Sequence, residues 1–470
     1  MKKEVILVVS KELCREVLDA ALKSGGDFAE LFVETSYYNN YELAAGKITK
    51  ANGNHLFGAS LRVLKGALEV SGYTNDLSRE SLLALAGKLA EAYTDARVAS
   101  AKPFAETPID SRHKIAKKPA DLSTAEKVAY LYKAYEAVKD YSPEIVQIIA
   151  ALRDDSQKVL IANSEGRFCE DERYHVLLQT SVVASDGKAT QTGFDSKGGH
   201  AGYELLDDFD IPAFAKGVAD QALTMLHADE MVGGVMTVVV HNAFGGVLLH
   251  EACVHSLEAT SVAKGTSVFC GKLGQKIASD IVTAIDDGTI ANAWGSLNVD
   301  DEGEPTKRNV LIENGILKSY LVDFRNSRKM NHPVTGSSRR QSYKYSPTSR
   351  MTNTFFAPGK STFEEIIANT EYGLFAKKMG GGSVNPATGE FNFAVNEGYL
   401  IENGKITKPV RGATLVGSGA EILANIDMIA DNLDFGYGMC GSLSGSIPTS
   451  VGQPTIRVKN LTVGGRGEKA

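Results

Sequence analysis

Cysteine is scarce: five occur in 470 residues, at Cys14, Cys169, Cys253, Cys270 and Cys440. An odd, scattered set does not form the disulfide framework of a small secreted domain, so the thiols are read as reduced, free to bind metal, and cytoplasmic. Long apolar runs are missing too. None approaches the ~18–20 residues that span a bilayer. The apolar stretch Val5–Val9 behind Lys2 and Lys3 falls short of the ~7–15 residues of a secretory core, so no signal peptide is expected. Positive charge is in deficit: 50 Lys and Arg against 57 Asp and Glu give a net charge of −7. Such a chain repels phosphate backbones, which argues against nucleic acid as a partner. What remains is ordinary globular material, 43% hydrophobic and 23% charged, with length for two or three domains of ~150 residues each.

The pattern predicts an α+β protein, with antiparallel sheets and packed helices in an N-terminal half and a β-rich C-terminal catalytic half. The boundary is placed at 232/233, with a sub-boundary in the Pro- and Lys-containing stretch 101–123. Helical periodicity marks Cys14–Lys23, Ser81–Tyr93, Glu126–Tyr141 and Pro212–Leu226. Strands are expected over Phe28–Glu34, Tyr41–Thr49, Leu56–Gly72, Ile145–Asp154, Lys158–Asn163 and His175–Ser185, with a turn-rich stretch up to Gly202. Met236–Val240 reads as a buried strand. Ile-Glu-Asn-Gly occurs at 312–315 and again at 401–404; Asn-Gly between β-rich flanks predicts a tight type I′ hairpin at each.

One cluster carries chemistry: His250-Glu251-Ala252-Cys253-Val254-His255. Two imidazoles and a carboxylate in six residues suit a zinc ion and a general base. The spacing is unusual, because residues i and i+5 lie ~140° apart around an α-helix and would diverge. A π-type turn would bring them together. From spacing alone two readings stay open, a metal site or a helix with two partly exposed histidines. Cys440 alone reads first as a buried core thiol, the usual fate of a lone cysteine, and Cys253, three residues after His250, is a local competitor.

The surrounding chain resembles the TldD/PmbA family of metalloproteases, specifically its TldD-like catalytic branch. The likeness runs through H-E-A-C-V-H-S-L-E from His250, Asp286–Thr289, Asp300–Gly303, Arg339–Tyr343, Arg350–Thr354, Gly398–Val410 and Met439-Cys440-Gly441. It implies His250, His255 and Cys440 as zinc ligands and Glu251 as general base. It also places Arg350 and Asn353 near the substrate cleft, and Arg339 and Arg340 are candidates to grip a peptide carboxylate. Two places depart from the family pattern: Val254, where glycine is common, and Ser442–Gly445, where Lys and Gln often follow Cys-Gly. A β-branched residue is stiff, so Val254 is expected to crowd the distorted turn, and Val254→Gly to strengthen zinc binding or cleavage.

The resemblance implies a zinc-dependent protease acting on unfolded or extended peptides. It also implies a homodimer, or a heterodimer with a PmbA-like paralogue. The rival reading is a non-catalytic peptide-binding or scaffold subunit of the same family.

Overall fold

The computed structural model describes residues 9–106, 108–385 and 388–467. The stretch 5–9 therefore lies outside the described residues except for Val9. The first half is organised by one seven-stranded sheet. Its main order is Leu68–Thr74, Lys47–Lys65, Phe28–Ala44, Ile145–Asn163 and Arg167–Ser185, all antiparallel to their neighbours. Thr190–Gly199, expected as turns, pairs with Arg167–Ser185. The expected strands Ile145–Asp154 and Lys158–Asn163 are one, Ile145–Asn163, and Phe28–Glu34 runs on to Ala44; the expected Tyr41–Thr49 and Leu56–Gly72 are each broken by a turn, at 45–46 and 66–67. The polar stretch Ser36–Asn40 stays extended because it pairs with Gln157–Arg153 on one side and with Leu56–Asn52 on the other. Ladder partners override weak local β-preference there.

Side chains alternate along a strand, so Leu31, Val33, Tyr41 and Leu43 share a face with their partners Ala162, Leu160, Leu152 and Ala150. That face buries two cores. Helices Lys11–Ala21 and Arg79–Ala90 cover one end, and Thr124–Val138 and Ile211–Leu226 cover the other. Ser10, Ser78 and Ser123 start three of these helices by accepting a first-turn amide.

The opposite face meets the second half of the chain through buried charges. Arg62 reaches Glu30 at 2.9 Å and Glu302 at 2.6 Å, and Arg173 reaches Asp301 at 2.6 Å. Arg340 joins the same network. Its guanidinium donates to Glu30 at 2.8 Å and Ser60 at 3.1 Å, and lies 4.2 Å over the Phe32 ring. Arg340 thus ties the two halves together, with its guanidinium held by internal partners. Removing one partner of a buried pair strands the other charge, so Arg340→Ala is expected to cost about 3–5 kcal/mol in urea unfolding. A loss below about 1 kcal/mol, the range of an exposed pair, would free Arg340 for another role.

The second half holds two large sheets, beside the short pair Ser338–Arg339 and Thr348–Ser349. In one, Tyr372–Val384, Gly234–Val240, Ile456–Gly464, Thr414–Ser418 and Glu390–Glu402 pair in that order. Glu390–Glu402 then pairs back to Tyr372–Val384, closing a ring. The other has six strands and ends in the hairpin Asp434–Ser442 and Gly445–Gln453. Both Asn-Gly hairpins are present, with positive φ at Asn314 and Gly315 (48° and 79°) and at Asn403 and Gly404 (52° and 71°). No helix among the described residues is long and apolar enough to cross a membrane.

Candidate metal centre

The segment from Ala243 to Leu257 is buried between the two C-terminal sheets. Val247–Ala252 is α-helical and ends where Cys253 leaves helical angles (φ −128°, ψ −59°); the chain resumes as a tight 3-10 turn over Val254–Leu257. A widened π-turn was the expectation. A break at Cys253 takes its place and turns the second histidine back toward the first, so that the two rings lie 4.8 Å apart and nearly perpendicular at 84°. Gly419 permits the close approach of the following helix, since a Cβ there would fall 1.9 Å from the Ala252 carbonyl oxygen.

Val254 does not carry the unusual backbone. It sits inside the 3-10 turn with no positive φ, and its side chain is wholly buried in the core. The expected crowding is therefore corrected: the valine packs. Val254→Gly should cost about 3 kcal/mol through the cavity and lost helix propensity. Metal affinity should be no higher than in the parent. A stable glycine form with tighter metal binding would restore the steric reading.

Cys440 lies on the strand Asp434–Ser442, opposite Ile447. Its Sγ is 3.3 Å from Nε2 of His250 and 3.3 Å from Nε2 of His255. The three donor atoms all lie within 4.8 Å of one another. A tetrahedral zinc with ordinary bond lengths separates nitrogen and sulfur by about 3.6 Å, so donors of the right type already stand at nearly the right spacing. Cys253 is buried in the core, where desolvation pushes its thiol up to about 12, and it is absent from the converging group.

Surrounding groups fix the donors. Burial, helped by His255 and Arg350, holds His250 well below the usual imidazole range and keeps it neutral. His255 Nδ1 faces Glu258 Oε2 at 3.3 Å. Burial opposes protonation of His255, but Glu258 and Cys440 outweigh it and raise its pKa well above the ordinary value. A carboxylate on Nδ1 leaves Nε2 to face the metal. Arg350 closes the loop: its Nη2 donates to the Cys440 carbonyl at 2.6 Å, and its Nε lies 3.7 Å from Glu258. Its Nη1 donates to Ser444 Oγ and the Gly445 carbonyl, both at 3.0 Å. The divergent segment Ser442–Gly445 therefore supplies the anchor for Arg350.

Glu251 stands apart from the donor triad. Its oxygens are 4.0 Å from His250 Nε2 and 3.7 Å from His255 Nε2, beyond hydrogen-bond reach, and 29% of its side chain is exposed against 4% for His250. Burial raises its pKa although His255 pulls the other way.

Three family models match in tandem: PmbA/TldA metallopeptidase domain 1 over residues 29–92, the central domain over 117–226 and the C-terminal domain over 233–465. The chain belongs to the PmbA/TldA metallopeptidase family. Two relatives named metalloprotease TldD homolog span nearly the whole length. That of Buchnera aphidicola from Acyrthosiphon pisum is 34% identical, covering 98% of this chain and 95% of its own. That of Haemophilus influenzae is 35% identical, covering 97% of each. The crystal structure of TldE from Thermococcus kodakarensis shares the fold, with a TM-score of 0.76 at 18% identity over 96% of this chain and 99% of that one. Membership of this metallopeptidase family agrees with the His-His-Cys donor group.

Sequence reasoning singled out four further polar residues; Arg339 and Arg340 line one cavity, and Arg350 and Asn353 are buried elsewhere. Arg350 and Asn353 have no exposed surface. Arg350 braces the Cys440 strand from behind. Asn353 donates to the Asp287 carbonyl at 2.6 Å and Ser296 at 2.7 Å. Arg340 is in the interface network described above. Arg339 lines a cavity on the other face of the Cys440 hairpin. Glu258 was missed, although a carboxylate three residues beyond a candidate ligand is a readable sign of a histidine partner.

Proposed function

We propose that this PmbA/TldA family member is a zinc-dependent peptidase of unfolded or extended peptides, with His250, His255 and Cys440 holding the metal and Glu251 as general base. The observation that carries the reading is the convergence of two imidazole nitrogens and one thiol beside a carboxylate that is not itself a ligand. Three protein donors leave room for a fourth, the pattern of catalytic rather than structural zinc sites, and a thiolate favours zinc among common divalent ions. When bound, the zinc ion supplies Lewis acidity to the scissile carbonyl.

The chain's own residues do the rest. Glu251 takes a proton from the attacking water on its carboxylate oxygen and passes it to the departing amine nitrogen; burial raises its pKa, which makes the carboxylate a stronger base than an exposed one. Glu258 holds the His255 ring in one orientation, and Arg350 holds the Cys440 backbone, so the donors keep their spacing without moving during turnover. The partner that fits the family is a second subunit, either a copy of this chain or a TldE-like paralogue.

Metal analysis of the purified protein together with cleavage of an unstructured test peptide tests this reading. About one zinc per chain, the complement of a single three-donor site, with cleavage abolished by chelation is the expected result. Metal-free protein that binds peptide without cutting it would favour the scaffold alternative.

A further inference from the structure

A cavity of about 410 Å³ lies between the Cys440 hairpin and the face of the N-terminal sheet that meets the second half of the chain. Neighbouring residues on a strand point to opposite faces, so Met439 and its partner Pro448 line this cavity while Cys440 faces the metal centre. Trp294, the chain's only tryptophan, lies on the same wall and donates to the Gly438 carbonyl at 2.7 Å. That wall is apolar.

The charges that line the cavity are unevenly matched. Its carboxylates are committed: Asp301 to Arg173 at 2.6 Å, Asp154 to Lys127 at 2.9 Å and Asp155 to His175 at 2.9 Å. Two of its guanidiniums are committed as well, Arg173 to Asp301 and Arg340 to Glu30, but Arg339 and Arg153 are not. Arg339 is only 3% exposed, and its Nη1 donates to the carbonyls of Met351 and Pro448 at 2.9 and 2.6 Å. Among the described residues no carboxylate lies within ion-pair distance of Arg339, or of the exposed Arg153 on the same cavity. Burial pulls Arg339 down to about 10. Asp301 and Asp286 oppose this from beyond direct contact; a buried cation with no carboxylate in direct contact is still costly, and an anion entering the cavity would offset that cost. At the rim, the amide side chains of Asn52 and Asn54 are exposed. Amides there suit the donors and acceptors of a peptide main chain; an acyl tail offers them nothing.

We propose that this cavity binds the C-terminal residue of a peptide, with its carboxylate on Arg339, its apolar side chain against Met439, Pro448 and Trp294, and its preceding amide at the asparagine rim. The site is separate from the metal centre, on the far face of the hairpin that carries Cys440. Binding here does not require that the chain hydrolyse peptides.

Trp294 reports directly on the cavity. Full-length Glu251→Gln protein, in which turnover is suppressed, is titrated with acetyl-Ala-Ala-Leu, with the same peptide amidated at its C-terminus, and with octanoate. Saturable change in Trp294 emission is expected for the free acid, with at least tenfold weaker binding of the amide and of octanoate. In Arg339→Gln the acid should bind no better than the amide. Equal binding of acid and amide, or no saturable change with either, would overturn the proposal. Octanoate binding as tightly as the peptide would overturn the peptide assignment in favour of a simple apolar acid. Should Arg339→Gln fail to fold by circular dichroism, the acid–amide comparison on the parent cavity decides alone.

Discussion

Cys440→Ser is expected to lower zinc affinity more than 100-fold and leave the fold intact. Mutations of groups that merely orient metal ligands typically cost 10–100-fold, so loss of a ligand must exceed that range. The sulfur is the hub of the triad, 3.3 Å from each imidazole nitrogen, and no other donor among the described residues bridges both histidines as it does. A serine hydroxyl is nearly the same size but stays protonated at neutral pH and is a poor ligand. The strand itself should persist, because Cys440 is held through backbone pairing with Ile447 and through its carbonyl by Arg350, neither of which needs sulfur. Dialysis followed by metal analysis, with circular dichroism as the control, reads the result. Full zinc retention in a folded variant would remove Cys440 from the site.

Much of this centre was legible because its chemistry is concentrated in six consecutive residues, and because the resemblance pointed to a cysteine 185 positions further on (440 − 255). Its geometry was not. Periodicity arguments treat a helix as continuous, so they met the five-residue spacing with a wider turn. The chain breaks the helix at Cys253 instead, a choice set by packing of Val254 and Leu257 into the core. The surroundings of the arginines were hidden for a different reason. Sequence gives the type of a cation but not its depth, and Arg340 and Arg350 are spent on buried carboxylates and carbonyls contributed from distant strands. In the N-terminal half the helices were readable from their apolar faces. Phe28–Glu34 was read too short, because Ser36–Asn40 lacks apolar alternation and is extended only by its neighbours on both sides; Tyr41–Thr49 and Leu56–Gly72 were read across the turns at 45–46 and 66–67.

Glu251→Gln is expected to reduce peptide cleavage by about 10²-fold or more, with zinc still bound, since general-base contributions fall in the 10²–10⁴ range. The substitution keeps size and hydrogen-bonding capacity and removes only the ability to take a proton. Position supports that division of labour. The carboxylate approaches the ligand nitrogens to 3.7–4.0 Å without joining the donor set, and it is the more exposed member of the cluster. Peptide binding should change little, so the loss should fall on kcat with KM within a few-fold. A true ligand would behave differently, losing metal and activity together. Two results would sink the assignment. Cleavage within a few-fold of the parent would show that another group carries the proton. Loss of zinc in parallel with activity would make Glu251 a fourth ligand and close the position that substrate needs.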